Sequence, residues 1–92
     1  MSETACITFE VTNIRPVRKG EWLADVTLDV DGVPLILNGF RVRQSSATQK
    51  SVHVPAYLER GRWEPAVVLP DELSKALADE IIAAVRRFLM NS

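Results

Sequence analysis

Between residues 50 and 63 three cations, Lys50, Arg60 and Arg62, are interleaved with two aromatic rings, Tyr57 and Trp63. That combination suits an exposed nucleic-acid strand, because a cationic head meets phosphate while a ring offers its face to a base. Lys50, Arg60, Arg62 and Tyr57 are therefore the candidate nucleic-acid-binding residues, with Trp63 as a further stacking surface. The competing reading is structural. It pairs Arg62 with Glu59 across a turn, packs Trp63 against Leu58 in the core and sets Tyr57 opposite Glu64, leaving the charges solvated.

Other charged residues fit structural roles. Arg43 is expected to face Glu21 across a strand pair, with Arg41 diagonal to Asp25, so that both take part in cross-strand charge pairing. Arg86 and Arg87 fall near a helix end where positive charge is favourable, although a dimer would join two such ends into a wider basic surface. At the opposite end Asp71 and Glu72 would repel phosphate. His53 is the only histidine, set mid-strand beside valines, and Cys6, the only cysteine, is distant in sequence. A metal site would need further ligands at suitable spacing. Asp25, Asp29 and Asp31 alternate like a carboxylate row, but Asp31 belongs to a turn and Asp29 to its shoulder, so solvation explains them without acid–base chemistry. The sequence contains no phosphate-binding glycine loop, nucleophile elbow or dinucleotide fingerprint. It predicts a protein that is not an enzyme and uses no metal or cofactor.

The elements that would position these residues centre on residues 22–42. Asp31-Gly32 is the two-residue signal of a tight hairpin whose central positions both need positive φ. The resulting register pairs Val30 with Val33, Leu28 with Leu35 and Val26 with Leu37, all on one face. The apolar phase slips at Asn38-Gly39. A bulge at Gly39 repairs it by setting Phe40 opposite Ala24 and Val42 opposite Trp22. Ile7, Phe9 and Val11 alternate with polar residues in a strand preceding this hairpin, continuing toward Pro16, where pairing should end or lie on an edge. Residues 44–51 are polar and without periodicity, which predicts an exposed, mobile loop. A second hairpin is expected around Arg60-Gly61, pairing Leu58 with Trp63, Val54 with Val67 and Val52 with Leu69, with Pro55 and Pro65 as sources of irregularity. Pro70, Asp71 and Glu72 open a helix whose stripe is Leu73, Leu77, Ile81, Val85 and either Phe88 or Leu89, widened by Ala84 and Ile82. The fold class is α+β: a small antiparallel sheet of about five strands, a meander plus a second hairpin, with one C-terminal helix against its apolar face.

Ninety-two residues, 47% hydrophobic and 25% charged, make one small domain over residues 1–92. A net charge of −1 from 11 basic and 12 acidic residues gives no support to wholesale electrostatic binding of nucleic acid, but leaves room for a local basic patch. The lone cysteine, the start of the chain and the lack of a long apolar run predict a cytoplasmic protein without signal peptide or membrane span.

Val11-Thr12-Asn13-Ile14-Arg15, Ala24 followed by Thr27-Leu28-Asp29, Phe40-Arg41-Val42 and Val52-His53-Val54-Pro55, then a short polar turn, an aromatic residue and a C-terminal helix, form an ordered series. Taken together, over residues 9–88, this series resembles the bacterial SpoVG septation-regulator family. The resemblance implies a small antiparallel sheet backed by a helix, a homodimer assembled partly by strand pairing, and DNA- and RNA-binding in gene regulation. Three features depart from the family pattern. Ala56-Tyr57-Leu58-Glu59 stands where the family has adjacent basic residues after the proline, the nearest positive charges here being Arg60 and Arg62. Residues precede the first strand, and residues 44–51 replace a glycine-rich turn. Two functions are therefore expected: a homodimeric nucleic-acid-binding regulator, or a protein-interaction module that keeps the fold and dimer while binding a partner protein.

Overall fold

The computed structural model describes residues 6–91. Residues 1–5, on which the expected lack of a signal peptide partly rests, lie outside it. The chain runs β1 (Ile7–Arg18), β2 (Glu21–Val30), β3 (Val33–Gln44), β4 (Lys50–His53), β5 (Ala56–Glu59), β6 (Arg62–Pro65) and α1 (Asp71–Met90). The first four strands form an antiparallel sheet in the order β1-β2-β3-β4, while β5 and β6 form a separate hairpin. The α+β class and the meander are as the sequence predicts.

The β2–β3 register is the expected one: Val30 opposes Val33, Leu28 opposes Leu35, Val26 opposes Leu37, Ala24 opposes Phe40 and Trp22 opposes Val42. Asp31 and Gly32 have φ of 51° and 87°, and Gly39, at φ 89°, carries the bulge. A second bulge, unforeseen, lies in β1 between Thr12 and Arg15, with Asn13 at φ 51°. Both bulges face Asp25 in the central strand. Its carboxylate accepts hydrogen bonds from the Gly39 N–H at 3.0 Å, Asn13 Nδ2 at 2.9 Å and Arg15 Nη1 at 3.1 Å. One carboxylate thus pins two of the three places where the ladders change register, the third lying in β1 between Pro16 and Arg18. The neighbouring aspartates also have specific roles. Asp29 accepts the Gly32 N–H at 2.7 Å, and Asp31 accepts the Cys6 N–H at 2.8 Å. Cys6 is held there by a second bond, from the Asp31 N–H to its carbonyl.

Leu77, Ile81, Ala84 and Val85 are the buried positions of α1. Leu77, Ile81 and Val85 join Trp22, Ala24, Val26, Leu28, Phe40 and Val42 in one core. Phe88 completes the helical stripe and Leu89 is exposed. Pro70 caps the helix from outside it, its carbonyl accepting the Ser74 N–H. The cover stops short of the hairpin tip. Twenty helical residues reach about 30 Å, against a longest molecular extent of 48 Å. Leu35, although on the apolar face, is 50% exposed, and Val33 and Ile7 are exposed as well.

Two other expectations are corrected. Residues 44–51 are not one long loop, since Gln44 pairs with Lys50 and Arg43 with Ser51, and the turn between them is closed by the Ser45 N–H to the Gln49 carbonyl at 2.9 Å. The second hairpin keeps the Leu58–Trp63 pair but does not extend to Val67 or Leu69. Val52 pairs instead with Val42, in β4. Pro55, with no N–H to donate, separates β4 from β5, and its carbonyl accepts the last bond of the hairpin from Ala66. What would have been five strands is therefore six.

Candidate nucleic-acid interface

The polar face of the sheet, opposite the helix, carries a cleft of about 450 Å³ lined by Arg18, Arg41, Arg43 and His53 on the sheet side and by Ala56 and Trp63 of the β5–β6 hairpin, with Gly39 and Val54 between them. Strand alternation accounts for the arrangement. Arg41 and Arg43, two apart on β3, point to the face that Phe40 and Val42 do not use. Across the ladders Arg41 faces His53, and Arg43 faces both Glu21 and Ser51. His53 Nε2 lies 3.3 Å from the Ser51 hydroxyl.

Glu21 organises the arginines. Its buried carboxylate pairs with Arg41, with Arg18 at 3.4 Å and with Arg43 at 3.8 Å. Burial raises its pKa, but the Arg41 hydrogen bond and the charges of Arg18, Arg41 and Arg43 outweigh that and hold it below the ordinary glutamate value. The expectation for Arg43 is met. Arg41 lies opposite Leu23 and so is diagonal to Asp25 as expected, but it is equally diagonal to Glu21 and pairs there, the Asp25 carboxylate being occupied by Asn13, Arg15 and the Gly39 N–H. Arg15 is bound to Asp25, and at the cleft end of this face Arg18, Arg41 and Arg43 share the one carboxylate of Glu21, a local positive surplus, while Glu10 and Asp29 lie further along the same face toward the hairpin tip.

The residues predicted from the sequence lie elsewhere. Lys50 is in β4, on the same face as Val52 and hence on the helix side of the sheet. Arg60 occupies the left-handed turn of the second hairpin at φ 52°. Tyr57 opposes Glu64 and Arg62 opposes Glu59, so these four share one face of that hairpin, where two carboxylates outweigh one cation. None of Lys50, Tyr57, Arg60 and Arg62 lines the cleft. Trp63, on the other face of the hairpin with Leu58 and Ala56, does line it. It is not core, being 70% exposed, and Leu58 is exposed with it. The signal that could have found the arginine cluster is the i, i+2 spacing of Arg41 and Arg43 beside Arg18 at the β1–β2 turn, a row that pairing Arg43 with Glu21 and Arg41 with Asp25 one at a time leaves unseen.

Among the described residues no group of three or more histidine, cysteine, aspartate and glutamate side chains is placed to hold a metal ion. No helix among the described residues is long and apolar enough to cross a membrane. Comparison with family models, curated proteins and solved structures yields no match to the chain.

Proposed function

We propose that this protein is a nucleic-acid-binding regulator acting as a cytoplasmic homodimer, as its resemblance to the SpoVG family implies, with binding centred on the arginine cleft rather than on residues 50–62. The observation that carries this reading is the row of Arg18, Arg41 and Arg43 beside the exposed ring of Trp63. Guanidiniums hold phosphate but do not exchange protons near neutral pH, which favours binding over catalysis. The dimer is supported by the outer edge of β3. Among the described residues, β4 pairs only with residues 41–44, so residues 33–38 offer unused backbone groups alongside exposed Val33, Leu35 and Ile36. An antiparallel copy of the same edge would satisfy both.

The test is a salt titration of labelled single-stranded and duplex DNA and RNA, with sedimentation at micromolar concentration. Affinity should fall linearly on logarithmic axes, by about 0.7 to 0.9 in slope for each phosphate neutralised, and R43Q should make the slope shallower. Absence of binding at low ionic strength would overturn nucleic-acid recognition and leave the protein-interaction module as the alternative; a monomer in sedimentation would overturn the dimer.

A further inference from the structure

We infer that the cleft is built for a single strand, with one unpaired base stacked on Trp63 while the adjoining phosphates lie on Arg18 and Arg43. The inference rests on the nucleic-acid reading above and narrows it to one class of ligand. Three observations lead to it. The cleft, at about 450 Å³, is of the size that encloses a small ligand or one nucleotide, whereas a duplex is far wider. Its walls are a sheet face and a short hairpin, a groove that can track one backbone. Duplex readers commonly present a basic helix, but α1 opens with Asp71 and Glu72 and has its Arg87 engaged by Glu80 at 3.2 Å.

Trp63 supplies the second element. A tryptophan 70% exposed beside three guanidiniums forfeits the burial that usually stabilises so large a ring. A base in a duplex has both faces covered by its neighbours, but an unpaired base has a face to offer. Arg41, Arg18 and Arg43 are set by Glu21 before any ligand arrives, so little side-chain freedom is lost when phosphate binds. Glu21 is a positioning residue here, since its carboxylate would repel a phosphate and touches only the arginines.

The two tryptophans make the test direct, because Trp22 is 7% exposed in the core and Trp63 alone can meet a ligand. Tryptophan emission of the full chain is titrated at low salt with oligo(dT), oligo(U), a duplex of the same length and thymidine monophosphate. The expected result is quenching by both oligonucleotides, with the duplex and the mononucleotide bound at least tenfold more weakly. W63A should lose the quenching and weaken oligo(dT) binding about 5- to 100-fold. W63F should restore most of that affinity, read for both variants with a labelled oligonucleotide, while its remaining Trp22 emission is not quenched. Neither variant should alter the salt slope, which R43Q alone reduces. Thermal unfolding of W63A close to wild type, as an exposed ring implies, shows that the loss is not unfolding. Equal binding of duplex and single strand, or salt-dependent binding that leaves Trp63 emission and W63A affinity unchanged, would overturn the single-strand inference while nucleic-acid binding stands. Equal quenching and affinity with thymidine monophosphate would overturn it in favour of a free nucleotide. No binding of any probe would remove both readings.

Discussion

Removing the Asp25 carboxylate should release both bulges at once. Its three donors contribute unequally. The Gly39 N–H is partly buried and bonds to a charged acceptor at 3.0 Å, an interaction worth about 1.5–3 kcal/mol. Arg15 is 39% exposed, so solvent screens its 3.1 Å pair to at most about 1 kcal/mol. The exposed Asn13 amide adds about 0.5–1 kcal/mol. D25A should therefore cost roughly 2–5 kcal/mol in urea unfolding at pH 7, with a fall in Tm on the order of 10–40 °C. D25N keeps an oxygen for Gly39 but loses the charge, and should fall between D25A and wild type. Burial raises the Asp25 pKa, yet the bonds from Asn13, Gly39 and Arg15 overcome this and hold it below its ordinary value of 3.8. A depressed carboxylate contributes its stability above the unfolded pKa and loses it as pH falls through the folded one. Glu21 acts in the same direction, so the difference between wild type and D25A isolates Asp25: it should be constant from neutral pH to about 5 and shrink toward pH 2. A D25A protein within about 0.5 kcal/mol of wild type at pH 7, or a difference that does not change with acid, would refute this account.

Two further perturbations test the scaffold. Ile81 is 0% exposed beneath the sheet, and I81A should lower the unfolding free energy by about 2–5 kcal/mol; a loss under about 1 kcal/mol in urea would mean that α1 does not cover this face. A Cβ at Gly39 would meet nothing within 4 Å, so the cost of G39A is that of its φ of 89° alone, about 1–2 kcal/mol, and G39N should be milder because asparagine tolerates positive φ. Equal stability of both variants and wild type by thermal unfolding would remove the conformational demand at the bulge.

The central hairpin was legible because its signals are local. Asp31-Gly32 sets the turn and the slip of the apolar phase at Gly39 locates the bulge, so every pair from Trp22–Val42 to Val30–Val33 followed. The bulge at Asn13 left the same kind of mark, Val11 giving way to Ile14 in the opposite phase, but Pro16 masked it as the end of a strand. The second hairpin was legible at its turn and not at its ends, since alternation continued past Pro55 while the backbone bonding did not. The exposure of Leu35 could not be read from alternation at all, which assigns a face but does not measure how far a helix reaches across it.

The candidate interface was hidden for a different reason, which lies in the stoichiometry of charge. Each pair read along the chain, Arg43 with Glu21 or Arg41 with Asp25, looks like a neutralised contact. In three dimensions Arg18, Arg41 and Arg43 converge on the single carboxylate of Glu21. A carboxylate has about four acceptor sites, whereas each guanidinium carries five N–H donors, so most of the donors on this face remain unspent. Glu21 is buried while the three guanidiniums keep substantial exposure. The negative charge therefore lies beneath the positive ones. A ligand approaching from the cleft meets oriented cations before it meets the carboxylate that orients them, and an overall charge of −1 does not contradict an attractive face for phosphate.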